Sequence, residues 1–332
     1  MDILSSAGLP SPCPHQHHNA RKLTLAAVQM RWHADAQLHR ERLELAVSNA
    51  ANAGAEIVFL PELTLSKYPA DQRPTGRADA QAEVLAGGPT HEFCATLAAR
   101  YDVHVHASLF ECSGAEDGRG LNTAIVVAPS GEIVAATRKM HIPVTNGYFE
   151  DHYFAAGSAE RGYPVHNIAL DTGDCHVGLP TCWDEWFPEV ARSYALGGAD
   201  IIVYPTAIGS EPDFPAFDTQ PLLRQTLIGH AIANGLFVVM ANRFGGEGQL
   251  NFYGSSVVID PFGRVLLEAP RDREAVLVAE IDIALRHDWL TLFPFFATRR
   301  PDSYAALTEP LVNPRQADGQ SELGGIPGIL PR

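Results

Sequence analysis

From Lys22 onward, short β-branched or apolar runs alternate with longer amphipathic ones, a pattern that admits few architectures other than a layered α/β domain. Strands are expected over 22–30, 56–60, 103–110, 122–128, 132–137, 175–181, 201–204, 236–241, 255–260, 264–267 and 275–281. Helices are expected over 35–54, 91–100 with Thr90 as cap, 185–196 and 222–234, with Gly54 and the pair Gly197-Gly198 as stops. Pro129-Ser130-Gly131 and Pro261-Phe262-Gly263 read as hairpin turns, and residues 245–250 as a flexible loop. No Pro/Gly-rich linker interrupts 22–310, which is read as one domain. Residues 1–21 are read as a flexible N-terminal arm and 311–332 as an extended C-terminal tail.

Composition narrows the partners. With 24 basic and 39 acidic residues the net charge is −15, which disfavours nucleic acid and anionic membranes and points to a small-molecule substrate. No run approaches the roughly 20 apolar residues of a membrane span, and residues 1–14 lack a secretory pattern, so a cytoplasmic location is expected. Five cysteines without a C-x-x-C spacing fit free thiols in a reducing compartment. Cys13-Pro14-His15-Gln16-His17-His18 lacks the spaced second half of a closed zinc site, and no metal is assigned.

Three distant segments can supply chemistry together. Cys182 stands where the strand ending in Pro180-Thr181 turns into a helix, and a thiol there would feel the positive end of the helix dipole, which favours thiolate. Phe59-Leu60-Pro61-Glu62 ends a strand on a carboxylate, and Arg138-Lys139 ends another on a basic pair. A base, a cation and a thiol at strand termini form a candidate active site. Glu111 is read as a turn cap or ion pair, His230 as a core histidine, and Cys94, Cys112 and Cys175 as packing residues.

With Leu60-Pro61-Glu62, Arg138-Lys139-Met140-His141-Ile142-Pro143 and Cys182-Trp183-Asp184 in this order, the chain resembles the nitrilase superfamily of carbon–nitrogen hydrolases over residues 23–307. Asn242-Arg243, Phe252-Tyr253-Gly254-Ser255-Ser256 and Arg300-Pro301-Asp302 add to the match. The resemblance implies an α-β-β-α sandwich that pairs into an α-β-β-α-α-β-β-α homodimer or a higher homo-oligomer. It also implies the roles of four residues: Glu62 as general base and acid, Lys139 as oxyanion stabiliser, Cys182 as nucleophile, and Glu150, in Tyr148-Phe149-Glu150-Asp151-His152, as second glutamate. The Trp183 N–H would be a second oxyanion donor, and neither metal nor organic cofactor is implied.

Within the superfamily, Cys182-Trp183-Asp184-Glu185-Trp186-Phe187-Pro188-Glu189 is most similar to N-carbamoylputrescine amidases, followed by relatives that cleave other N-carbamoyl compounds. A substrate ammonium would want an acidic or aromatic lining, for which Trp183, Glu185, Trp186, Phe187, Tyr153 and Thr206 are the candidates, with Phe154 nearby in sequence. A substrate carboxylate would want an arginine, and Arg192 is the nearest in sequence. β-Ureidopropionase, ω-amidase and nitrilase activities use the same catalytic residues and stay open, as does a non-catalytic assembly role. Pro180-Thr181 departs from the apolar residues usual before the nucleophile, and the proline must end or bulge its strand.

Overall fold

The computed structural model describes residues 1–15 and 20–309. In chain order the elements are β1 (Asp2–Ser6), β2 (Lys22–Gln29), α1 (Ala36–Asn52), β3 (Ile57–Phe59), α2 (Pro89–Tyr101), β4 (His104–Glu111), β5 (Leu121–Val127), β6 (Ile133–Arg138), β7 (Val165–Leu170) and β8 (Gly173–Gly178). They continue with α3 (Pro188–Leu196), β9 (Ile201–Thr206), α4 (Gln220–Asn234), β10 (Phe237–Asn242), β11 (Phe244–Glu247), β12 (Leu250–Tyr253), β13 (Val257–Ile259), β14 (Val265–Glu268), β15 (Ala275–Asp282) and α5 (Ala284–Leu292).

Two sheets carry the fold: a seven-stranded one ordered β1-β15-β2-β3-β4-β5-β6 and a six-stranded one ordered β14-β13-β10-β9-β8-β7. The period-2 alternation of β2 shows how they stack. Leu23, Leu25 and Ala27 face Ile168, Val177, Ile201, Val203 and Val239 of the second sheet. Ala26 and Val28 face the other way, onto Leu43, Ala46, Val47 and Ala50 of α1 and Leu97 and Ala98 of α2. Those α1 positions recur at helical spacing, and Asp35 caps the helix by accepting from the Gln37 and Leu38 N–H groups. On the far side, Val190, Ala191 and Tyr194 of α3 and Leu223, Leu227 and Ala231 of α4 cover Ile202, Tyr204 and Val238. The layers are helix, sheet, sheet, helix, as the resemblance implies.

Several expectations are corrected. Asp2–Ser6, expected to be part of a flexible arm, pairs parallel to β15 and covers the edge of the seven-stranded sheet. Its Ser-rich, half-exposed pattern hides the strand, because an edge needs main-chain pairing more than apolar alternation. His15 also docks, its backbone N–H donating to the Asp288 carboxylate at 3.2 Å. Residues 16–18 of the His-rich cluster and the expected tail at 311–332 lie outside the described residues. Gly88, not Thr90, is the N-cap of α2, since Pro89 opens the helix and Thr90 spends its hydroxyl and N–H on Glu83. Residues 245–250 are not a free loop: β11 and β12 pair there as an antiparallel hairpin. Cys112 is exposed rather than packed. β7 and α5 are additional elements. Among the described residues no helix is long and apolar enough to cross a membrane.

His106 on β4 is fully buried, opposite Phe59 and with its ring edge-on to it at 5.6 Å, and neither ring nitrogen has a partner. Burial pushes its pKa from 6.5 down to about 3. The unfolded chain takes up a proton near the ordinary value while the folded chain does not, so this residue costs stability as pH falls below that value. His106→Leu is therefore expected to gain on the wild type by about 1.4 kcal/mol per pH unit between roughly pH 6 and pH 4. Urea unfolding of both proteins across that range checks this, and parallel curves would contradict it.

Candidate active site

The strands that end at the same rim of the sandwich deliver the candidate residues. β3 runs on through Leu60-Pro61 to Glu62, and β6 through Arg138 to Lys139, both from the seven-stranded sheet. β8, from the six-stranded sheet, stops at Gly178 before Pro180, whose missing N–H cannot extend a ladder, and the chain reaches Cys182 four residues later. Glu150 opens a short 3-10 turn, Glu150–His152.

The four side chains meet in the interior. Lys139 Nζ donates to Glu62 Oε1 at 3.0 Å and to Glu150 Oε2 at 2.7 Å, with all three side chains essentially inaccessible. Asn122 Nδ2 donates to the same Glu62 oxygen at 2.7 Å, and Tyr68 OH donates to Glu150 Oε1 at 2.9 Å. Asn122 is itself oriented by the Ser108 hydroxyl at 3.0 Å. Glu62 Oε2 is buried and has no partner, which leaves it available to reacting atoms. Cys182 is 4% exposed and feels the charges of Glu62, Lys139, Glu185 and Glu150. Its φ of 44° is left-handed, a conformation that costs a non-glycine residue about 1–3 kcal/mol and recurs at functional turns.

The electrostatics follow from two carboxylates sharing one ammonium in a dry site. Burial alone would lower the Lys139 pKa, but Glu150 and Glu62 more than reverse this and hold it well above the ordinary lysine value. Burial pushes Glu150 up to about 7 against the pull of Lys139, and repulsion from Glu62 adds to the rise. The Cys182 thiol is raised well above 9, first by burial and then by Glu62, with Lys139 opposing. The helix-dipole expectation is thus corrected. Cys182–Trp186 is a five-residue 3-10 turn, Phe187 breaks it with extended geometry, and α3 starts only at Pro188, so no long dipole points at the sulfur. Burial and the Glu62 carboxylate favour the protonated thiol.

The expected lining residues divide. Glu185 is fully buried; its Oε2 accepts from Thr206 at 3.4 Å and its Oε1 has no partner. Burial and then Glu62 raise its pKa well above 4.5. Trp183 and Trp186 meet edge-on at 6.5 Å on the same turn. Phe187 is committed elsewhere, stacked on His141 at 3.8 Å. Tyr153 donates to Gln72 O and lines a cavity of about 410 Å³ with Tyr68, Asp71 and Gln81. Phe154 is core, packed on Phe110 at 4.7 Å. Arg192 donates to Ala233 O and lines a separate cavity between α3 and α4. Glu111 forms a two-pronged ion pair with Arg138, and His230 Nε2 lies 2.8 Å from Glu185 O. Among the described residues, no group of three His, Cys, Asp or Glu side chains is placed to hold a metal ion.

Sequence reasoning gave no role to the supports Tyr68, Asn122, Ser108, Asp184, Arg243 and Glu247, although Asp184 and Arg243 stand in matched motifs. Asp184 also had a local structural signal, since Thr181 and Asp184 stand at capping-box spacing. Its Oδ2 accepts from Thr181 N at 3.0 Å while Oδ1 accepts from His141 N at 3.0 Å, tying the Cys182 turn to the segment after Lys139. Because burial and Glu62 push the thiol upward, alkylation of the Cys182 peptide by iodoacetamide should keep accelerating up to about pH 9. Peptide mass spectrometry reads this separately from exposed Cys112, and a rate already level near neutral pH would show a resting thiolate instead.

Residues 24–290 match the carbon-nitrogen hydrolase family. A citrullinase from Francisella tularensis is 35% identical over 287 residues, spanning 85% of this chain and 96% of its own. An N-carbamoylputrescine amidase from Solanum lycopersicum is 33% identical over 299 residues, spanning 86% and 95% respectively. The crystal structure of a carbon-nitrogen hydrolase from Helicobacter pylori G27 superposes with a TM-score of 0.76 at 30% identity, covering 88% of this chain and 100% of that one. With its sandwich of two sheets, its buried Glu62–Lys139–Glu150 network and these matches along most of its length, the chain belongs to the carbon-nitrogen hydrolase family of the nitrilase superfamily and is a carbon–nitrogen hydrolase.

Proposed function

We propose that this chain, as a cytoplasmic homodimer or higher homo-oligomer, hydrolyses the ureido group of a small N-carbamoyl amine such as N-carbamoylputrescine, giving the amine, carbon dioxide and ammonia. The observation that carries the substrate class is Glu185. It is a third buried carboxyl beside the thiol, and the lysine of the site is already shared by Glu62 and Glu150. A substrate ammonium supplies the missing countercharge, and as it binds the Glu185 proton is released to water. Relatives named citrullinase and N-carbamoylputrescine amidase support a ureido substrate with an ammonium group, which both named compounds carry, and the second name, of a compound with no carboxylate, supports the carbamoyl amine. Arg192 gives no comparable support for a carboxylated substrate, since it lines the separate α3–α4 cavity.

The chemistry uses this chain's own groups. Cys182 Sγ adds to the ureido carbon while its proton passes to the free Oε2 of Glu62, so a buried thiolate never stands alone. The Lys139 ammonium and the Trp183 N–H receive the oxyanion. Collapse expels one ureido nitrogen, which takes the proton from Glu62. Water then attacks the carbamoyl thioester as Glu62 accepts its proton, collapse returns that proton to the departing sulfur, and the carbamate released breaks down to carbon dioxide and the second nitrogen product. Glu150, held by Tyr68, keeps Lys139 charged and aimed.

Ammonia release from N-carbamoylputrescine, N-carbamoyl-β-alanine, short ω-amides and aliphatic nitriles is expected to favour the first, and Cys182→Ala should abolish it. A preference for a nitrile or a carboxylated compound would move the function while keeping the catalytic residues. Glu185→Gln should raise KM for the cationic substrate by about 30-fold or more, the low end of the effect of truncating a buried charge pair, while sparing neutral amides. Equal effects on charged and neutral substrates would remove Glu185 from ammonium recognition.

A further inference from the structure

The two carboxylates that share the Lys139 ammonium hang from one short segment, residues 62–68. Glu62 belongs to it directly, and Glu150 is held through Tyr68 OH. That segment is irregular: Leu63 has a left-handed φ of 48°, which its own side chain disfavours. Its own sheet holds it through Ser108 of β4, whose Oγ accepts from Leu63 N at 3.1 Å and whose carbonyl accepts from Thr64 N at 2.8 Å, and the opposite sheet holds it through one side chain. Arg243, between β10 and β11 and 3% exposed, donates from Nε and Nη2 to Glu62 O at 3.1 and 2.8 Å. The same Nη2 reaches Leu63 O and Ser66 O, each at 2.7 Å. Its Nη1 pairs with both oxygens of buried Glu247 at 2.8 Å, and Glu247 Oε2 accepts from Tyr68 N at 2.9 Å.

We infer that the Arg243–Glu247 pair is a positioning clamp that sets where Glu62, and through Tyr68 also Glu150, stand relative to the nucleophile. The inference rests on the catalytic reading above. β10 pairs with β9 and β9 with β8, the strand that leads to Cys182, so Arg243 is rigidly continuous with the thiol's side of the site. The acid–base side belongs to the other sheet, which contributes Glu62 and Lys139. A proton transfer between Sγ and Glu62 depends on spacing across these two sheets, and a side-chain fork that grips the backbone carbonyls of Glu62, Leu63 and Ser66 fixes that spacing. The planar guanidinium is needed, because an ammonium cannot hold three carbonyls and a two-oxygen carboxylate in one plane.

Arg243→Lys is therefore expected to stay folded and to lose about 100-fold in kcat, the scale of a misplacement of roughly 1 Å at a reacting group, with KM little changed. Methylguanidinium should restore part of the activity of Arg243→Ala, and methylammonium should not. Because Arg243→Ala strands Glu247 as a lone buried charge, the double variant R243M/E247Q, which buries none, is measured beside it and should show the same loss in kcat. Wild-type kcat in a folded R243K or R243M/E247Q, or a loss confined to KM, would overturn the clamp. Cys182→Ala in the same assay separates the two levels. Turnover by that variant would overturn the catalytic reading itself, whereas an inactive Cys182→Ala beside a fully active R243K would overturn only the positioning role.

Discussion

One buried cation holds the site together. Lys139, with no exposed side-chain surface, bridges two carboxylates that would otherwise repel each other in a medium too dry to screen them. Burying three such groups is costly, and their attraction repays the cost only where further hydrogen bonds satisfy the remaining oxygens. Asn122 does so for Glu62 and Tyr68 for Glu150, and both are buried as well. One oxygen, Glu62 Oε2, is left without a partner, and it is the oxygen to which the proposed mechanism assigns the proton of Cys182.

The sandwich explains why such a site sits at a rim. Each sheet brings half of the chemistry: Glu62 and Lys139 follow strands of the seven-stranded sheet, and Cys182 follows a strand of the six-stranded one. The inter-sheet core of Leu25, Phe59, Val177 and Val203 sets the coarse distance between the halves. Polar ties refine it at two points. Asp184 links the Cys182 turn to His141, two residues past Lys139, and Arg243 links the second sheet to the Glu62 segment. Strained backbone at Leu63 and Cys182 persists next to these ties, where the surroundings determine the conformation.

Local patterns in the chain were enough to locate β2, α1, β10 and α4, because their alternation or helical spacing is strong and their ends carry Gly, Asp or Pro signals. Elements whose existence depends on partners were not readable. β1 is a strand because β15 offers it an edge although it shows no apolar alternation, and β11 is one because its Gly-Gly run can pair with Leu250–Tyr253. In the site, Glu62, Lys139 and Cys182 stood out as polar groups at the ends of apolar strands. Their protonation states did not, since a raised thiol depends on burial and on neighbours 120 and 43 positions away in sequence, at Glu62 and Lys139 (182 minus 62 and 182 minus 139). Arg243 stood in a matched segment without a role, and its pairing with Glu247 was hidden for the same reason: a charge pair four residues apart on a Gly-rich stretch looks like solvated surface until the fold encloses it.

The central claim is that Cys182 forms the acyl bond while the buried network handles its proton. Acid-quenching the enzyme during turnover of an N-carbamoyl amine and mapping the peptides by mass tests it most directly. The account predicts an acyl increment on the Cys182 peptide that disappears as substrate is exhausted, and the size of the increment identifies which nitrogen leaves first. An enzyme that turns over with no adduct on Cys182, or with one on Cys94 or Cys175 instead, would contradict it.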